Sequence, residues 1–176
     1  ALLNKKTTTL TNVPRIEEVN RLIEVLRSIG VDVMWKQNSL LITPARRLTL
    51  EPLDKGAAEK TRSILMFLGP LVHHFTRFSL PQSGGCKLGS RTVRPHFFAL
   101  ERMGVNIETT DDAWKVTHKG LKPANIVMYE SGDTATENAI MAAALTKGTT
   151  TIRYASANYM VQDLCVFLEQ CGVKIE

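Results

Sequence analysis

Residue n and residue n + 142 of this chain carry like chemistry over an unusually long stretch. Leu3 falls on Leu145, Thr7-Thr8-Thr9-Leu10 on Thr149-Thr150-Thr151-Ile152, and Val19, Leu22 and Leu26 on Val161, Leu164 and Leu168. Gly30-Val31 then falls on Gly172-Val173 and Val33 on Ile175, and no gap is needed anywhere. An internal duplication accounts for this, and it restricts the fold to copies of one supersecondary unit. A weaker middle copy ends at Gly104-Val105-Asn106-Ile107, with Leu100 standing for Leu26 and Val93 for Val19. The repeats are expected at about residues 1–44, 45–122 and 123–176 of a single domain.

Within a copy the local signals alternate between strand and helix. Thr7 to Asn12 is β-branched and bounded by Pro14, which reads as a strand. Pro14 suits a first helical turn, with Glu17 and Glu18 complementing its positive end. Ile16, Val19, Leu22, Ile23, Leu26 and Ile29 recur at helical spacing, and Gly30 is the stop. Val31–Trp35 and Leu40–Thr43 form a hairpin around Gln37-Asn38. The middle copy predicts a helix from Ala57 to Leu68, ended or kinked by Gly69-Pro70. A strand over Arg77–Leu80, a helix over Val93–Met103 and strands over Val105–Glu108 and Trp114–Thr117 follow. The last copy predicts a strand over Asn125–Met128 and an alanine-rich, buried helix over Thr134–Thr146. A strand over Thr149–Tyr154, a helix over Val161–Cys171 and a closing strand over Val173–Glu176 complete it. The fold class is therefore mixed α/β.

The middle copy differs from the others by an insertion between its strand and its helix, Ser83-Gly84-Gly85-Cys86-Lys87-Leu88-Gly89-Ser90-Arg91. Three glycines give it high conformational freedom. Lys87 and Arg91 favour a thiolate at Cys86. A thiol and cations at the mouth of a helix suit chemistry on an anion. Cys165 and Cys171 fall on a helix and read as packing residues. Three cysteines without a Cys-x-x-Cys pair argue against a disulfide framework and fit a reducing, cytoplasmic compartment. The net charge of +5 comes from scattered residues, without the clustered footprint of a nucleic-acid binder. The apolar run Ile64 to Val72 is too short to span a bilayer. His73, His74, His96 and His118 make no ligand spacing with the cysteines, so no zinc site is expected. The apolar opening, Ala1-Leu2-Leu3, reads as the end of a helix, and the chain as a piece of a longer one.

The run Leu80-Pro81 through Arg91 resembles the catalytic loop of the UDP-N-acetylglucosamine enolpyruvyl transferase family. Arg62-Ser63-Ile64 with Leu68-Gly69-Pro70-Leu71 is similar to that family's preceding helix. Ala135-Thr136-Glu137-Asn138, Met141-Ala142-Ala143 and Gly148-Thr149-Thr150 are similar to its third repeat. The resemblance implies a domain of three strand-helix repeats with helices gathered at its centre, and a second domain of the same enzyme as partner. It implies transfer of the enolpyruvyl group of phosphoenolpyruvate to the 3-hydroxyl of UDP-N-acetylglucosamine, toward peptidoglycan, without a cofactor, a nucleic acid or a membrane. It implies Cys86 as general acid at the methylene carbon of phosphoenolpyruvate, and Arg62 and Arg91 on the anionic substrates. It also implies a nucleotide-sugar contact strip at Thr92, Val93, Arg94 and Pro95, and another at Glu130, Ser131, Gly132 and Asp133.

Two departures from the family pattern matter. Thr92-Val93-Arg94-Pro95-His96 stands where the family has Pro-Val-Asp-Leu-His, and Gly132-Asp133-Thr134 where it has Ser-Val-Gly. They support an alternative, a binding or scaffold domain that keeps the fold but has lost nucleotide-sugar recognition. The enolpyruvylshikimate phosphate synthase branch of the same fold lacks the Gly-Gly-Cys loop. The isolated chain is expected to be inactive.

Overall fold

The computed structural model describes residues 2–82 and 92–176. They fall into two compact units, one made of residues 2–64 and 80–82, the other of residues 65–79 and 92–176.

In the first unit, strand β1 (Thr8–Leu10) leads to helix α1 (Glu17–Ser28), then to strands β2 (Asp32–Lys36) and β3 (Ser39–Thr43). The sheet order is β1-β3-β2, antiparallel throughout. β2 and β3 turn across Gln37-Asn38 as the hairpin signal predicts, with Gln37 at φ 56°. The register sets Val33 beside Ile42 and Trp35 beside Leu40, so alternate residues share one face. Val33, Leu40 and Ile42 are buried with Val25, Ile29 and Val31 of the α1 region. α1 begins three residues after Pro14, with Ile16 at its N-cap, so Pro14 lies in the approach rather than the first turn. Arg15 stacks its guanidinium over Trp35 at 4.1 Å and donates to the carbonyl of Gln37, which holds that approach against the hairpin.

The helix expected over Ala57–Leu68 is broken into three pieces. They are α2 (Lys55–Glu59), a 3₁₀ turn (Arg62–Phe67) and α3 (Leu68–Leu71). Asp54 caps α2 through the Ala57 N–H at 2.9 Å. The hydroxyl of Thr61 takes the Ser63 N–H, a local bond that competes with continuing the helix. Pro70 falls in the first turn of α3, where its missing N–H is tolerated, so Gly69-Pro70 lies inside a short helix and ends none.

In the second unit, β4 (Arg77–Pro81), whose first three residues belong here, β5 (Val105–Thr109) and β6 (Ala113–His118) form a sheet ordered β4-β6-β5. Helix α4 (Arg94–Arg102) packs on β5, with Phe97 edge-on to Trp114 at 5.9 Å. β7 (Asn125–Val127) and β8 (Thr151–Arg153) pair in parallel through Ile126 and Ile152. Between them runs α5 (Asp133–Ala143), and α6 (Tyr159–Gln170) follows β8. α5 touches α3, α4 and α6. Its Ala135, Ala139 and Ala142 are buried, as the small-residue pattern predicts. It ends three residues short of Thr146, whose hydroxyl turns back to the Ala142 carbonyl. Residues 173–176 form no strand, contrary to the pattern.

The segments read at an offset of 142 share some local features, although β2 has no counterpart in residues 173–176 and β1 pairs antiparallel where β8 pairs parallel. α1 and α6 both have 12 residues and start and stop 142 positions apart. Asn12 and Tyr154, at the same offset, both have positive φ, 55° and 56°. Gly30, Gly104 and Gly172 take φ of 99°, 92° and 93°, each closing a helix with its N–H on the carbonyl three residues back.

Candidate functional site

α4 and α5 pack side by side, and their N-terminal ends carry both expected contact strips. The link between them is His96, 4% exposed. Asn138 donates to its Nδ1 at 2.9 Å, which leaves the ring proton on Nε2, facing the Thr134 hydroxyl at 3.4 Å. Asn138, fully buried on α5, also donates to the Leu65 carbonyl at 2.7 Å. Its own oxygen accepts the Gly69 N–H at 2.8 Å. One side chain therefore joins the end of the 3₁₀ turn, α3 and α4 to α5. A Cβ at Gly69 would lie 2.7 Å from both oxygens of Asn138, so this close approach requires glycine.

The first strip begins α4. The Thr92 hydroxyl takes the Arg94 N–H at 3.1 Å, Val93 is the N-cap and Pro95 is buried in the first turn. Arg94 makes a two-pronged pair with Glu101, at 2.5 and 2.7 Å. That pairing raises the Arg94 pKa further above its ordinary value. Its cationic fork is thus already matched along the helix.

The second strip begins α5. Glu130 and Ser131 are exposed, Gly132 is the N-cap and Asp133 is the first helical residue. Asp133 accepts from the Ser156 hydroxyl and, at 2.9 Å, from the Asn158 amide. The Thr136 hydroxyl, fully buried, takes the Ser156 N–H at 3.0 Å. Asp133 and Thr136 therefore tie α5 to the connection from β8 into α6. A carboxylate at this helix start is favoured by the positive end of α5 and by both donors. Burial, and then the charge of Asp133, push the Glu137 carboxyl up. Tyr129 lies edge-on to Phe98 at 5.3 Å, and its hydroxyl is pushed up by desolvation first, then by Glu130, with Arg94 opposing.

Arg62 lies in the first unit, half-buried at the start of the 3₁₀ turn. The hydroxyls on either side of it, Thr61 and Ser63, both donate to one oxygen of Glu18. Cys86 and Arg91 lie outside the described residues. Among the described residues, no three histidine, cysteine or acidic side chains gather as a metal-binding group.

Sequence reading gave no partner to Thr136, Asn138 or Ser156, took Glu18 only as complementing the positive end of α1, and gave His96 no ligand role. The signal for Asn138 and Thr136 was present. Two polar residues inside an alanine-rich, buried helix need partners.

The chain belongs to the EPSP synthase (3-phosphoshikimate 1-carboxyvinyltransferase) family, whose model matches residues 1–176. It is 36% identical over 176 residues to the UDP-N-acetylglucosamine 1-carboxyvinyltransferase of Bradyrhizobium diazoefficiens, covering all of this chain and 41% of that protein. It is 34% identical over 175 residues to the enzyme of that name from Treponema denticola, covering 99% of this chain and again 41% of the relative. The chain thus spans about two fifths of the length of these curated relatives. The fold matches that of the enolpyruvyl transferase NikO from Streptomyces tendae, with a TM-score of 0.85 at 22% identity over 100% of this chain and 41% of that one. It matches EPSP synthase from Acinetobacter baumannii with a TM-score of 0.67 at 16% identity, over 90% of this chain and 37% of that one.

Proposed function

We propose that this chain is the cysteine-loop domain of an enzyme that transfers the enolpyruvyl group of phosphoenolpyruvate to the 3-hydroxyl of UDP-N-acetylglucosamine, in peptidoglycan biosynthesis. The observation that carries this reading is the 36% identity, over the whole chain, to a protein of that name. The chemistry is addition followed by elimination. Cys86, as the neutral thiol, protonates the methylene carbon of phosphoenolpyruvate as the sugar oxygen bonds to its C2 and passes its hydroxyl proton to a base. Loss of phosphate and a proton from the tetrahedral adduct then restores the enol ether. Arg62 and Arg91 hold anionic substrate groups through their planar forks. The two strips at the starts of α4 and α5 border the nucleotide sugar, on a base kept rigid by Asn138 and His96.

The internal pairing of Arg94 and Asp133 bears on the alternative of a scaffold domain without nucleotide-sugar recognition. Both charges that depart from the family pattern are satisfied by neighbours within the unit. Arg94 has a counter-charge in Glu101, whereas Asp133 keeps its charge and is held by two neutral donors. The test is calorimetric titration with UDP-N-acetylglucosamine, together with phosphate release from phosphoenolpyruvate in its presence, both made on the whole enzyme of which this chain is the proposed domain. Binding of the sugar nucleotide, and release abolished in Cys86→Ala, are the expected results. Absence of sugar-nucleotide binding by protein that still turns over phosphoenolpyruvate with another hydroxyl acceptor would reassign the substrate.

A further inference from the structure

A cavity of about 530 Å³ opens in the second unit, away from the two strips. It is bounded by the entry to β4, the entry to β5 and the segment that follows β6. Gly104, on its wall, follows the C-terminal end of α4, whereas Arg94 and Pro95 begin that helix. Nine helical residues put roughly 13 Å between those ends.

Its lining is one-sided in charge. Arg77, Lys119 and Lys122 contribute three fixed cations, Thr76 and Thr117 contribute hydroxyls, and no carboxylate lines it. Among the described residues, none of these three cations makes a salt bridge, whereas Arg21, Arg94 and Lys174 do. The cavity wall is also braced. His118 donates from Nε2 to the Phe75 carbonyl at 3.1 Å and accepts the Gly120 N–H on Nδ1 at 3.1 Å, so both ring nitrogens are occupied. The His118 N–H reaches the Thr76 carbonyl at 2.9 Å, and the Lys122 N–H reaches the Met103 carbonyl at 3.0 Å. These bonds stitch together the segments that carry the cations. At the end of α4 the Met103 and Gly104 N–H groups donate to the Leu100 and Glu101 carbonyls. The negative end of that helix still works against an anion here, and the three cations must outweigh it. Gly120, at φ 120°, has open space where a Cβ would stand, which leaves room for a ligand.

We infer that this groove binds a chain of linked phosphates. Several cations around a cavity of this size match a ligand with charge spread along its length better than a single carboxylate. No aromatic ring lines the groove and the one imidazole is committed at both nitrogens, so the phosphates are gripped and a base is not. The inference goes beyond enolpyruvyl transfer and does not depend on it.

The test uses the 176-residue chain, inorganic tripolyphosphate as probe, calorimetry for affinity and amide resonances for location. Saturable binding that shifts the Gly104 and Gly120 amides is expected. Lys119→Gln with Lys122→Gln should weaken it about tenfold or more, while the equally charge-reducing Lys5→Gln with Lys6→Gln should leave it unchanged. Circular dichroism and an undisturbed amide spectrum elsewhere establish that the variants fold. Absence of saturable binding, equal weakening by the two double variants, or citrate binding as tightly as tripolyphosphate would overturn the inference. Tighter binding of a single-stranded oligonucleotide at the same amides would also overturn it, in favour of a nucleic-acid surface.

Discussion

Asn138→Ala would strand three buried partners at once, namely the Gly69 N–H, the Leu65 carbonyl and Nδ1 of His96. Each unsatisfied buried group costs about 1–3 kcal/mol, so a loss of roughly 3 kcal/mol or more is expected in urea unfolding. Gly69→Ala attacks the same junction by overlap, since its Cβ would sit 2.7 Å from backbone and side-chain oxygens of Asn138. Overpacking of this kind costs about 1–3 kcal/mol. The two losses should fall short of additive in the double variant, because both open one junction. Full additivity would mean that the sites act independently. His73 offers a residue-scale test in pH. Burial holds its pKa below the usual 6.5, although its bond to the Met141 carbonyl opposes the shift. The unfolded chain therefore binds the proton more readily, and stability should fall as pH drops below about 6.5 toward the folded pKa. His73→Gln should flatten that part of the stability profile, as measured by urea midpoints between neutral and mildly acid pH. An unchanged slope would place the titration elsewhere.

Three helix ends carry the next argument. Gly30, Gly104 and Gly172 close α1, α4 and α6 at φ between 92° and 99°. A Cβ would find ordinary contacts near 3.6 Å at the first two and open space at the third. Alanine is thus penalised by backbone conformation rather than by overlap, at about 1–2 kcal/mol per site. The three Gly→Ala variants should lose similar stability, and a loss several-fold larger at one of them would reveal crowding there. These ends were legible in the sequence because a glycine after an apolar helical run needs no tertiary knowledge. The paired span of α1 and α6 was legible for the same reason, through Val19, Leu22 and Leu26 and their partners. The segment from Ala57 to Leu68 was not. Ile64, Leu65, Phe67 and Leu68 are buried, and such an apolar run carries no period that separates one α-helix from a 3₁₀ turn between two short ones. The site was legible only in part. Chemistry-bearing residue types and motif resemblance marked the two strips. The internal pairing of Arg94 with Glu101 and of Asp133 with Ser156 and Asn158 depends on contacts 7 to 25 residues apart, which spacing does not encode.

Across the whole molecule, thiol reactivity and turnover should come apart. The relatives whose name supports the proposed reaction are more than twice as long as this chain, which covers 41% of them. Enolpyruvyl transfer requires two anionic substrates to be held in one closed geometry, where effective molarities of about 10⁵ M or more are at stake. The 176-residue chain by itself is therefore expected to release no phosphate from phosphoenolpyruvate and UDP-N-acetylglucosamine above background. Thiol reactivity has a more local origin. Lys87 and Arg91 neighbour Cys86 in sequence, and we propose that these cations favour its thiolate. Cys165 is half-buried on α6, and burial, then Glu169, push its thiol up, away from the reactive form. A small electrophile at mildly alkaline pH should therefore label Cys86 before Cys165, and Arg91→Ala should slow labelling at Cys86 alone. Mass spectrometry of partly labelled protein reads both rates in one sample. Equal rates at the two thiols, or a rate at Cys86 indifferent to Arg91, would mean that the loop does not activate its own cysteine. Activation would then have to come from bound substrate, and adding UDP-N-acetylglucosamine to a full-length relative should accelerate the same labelling.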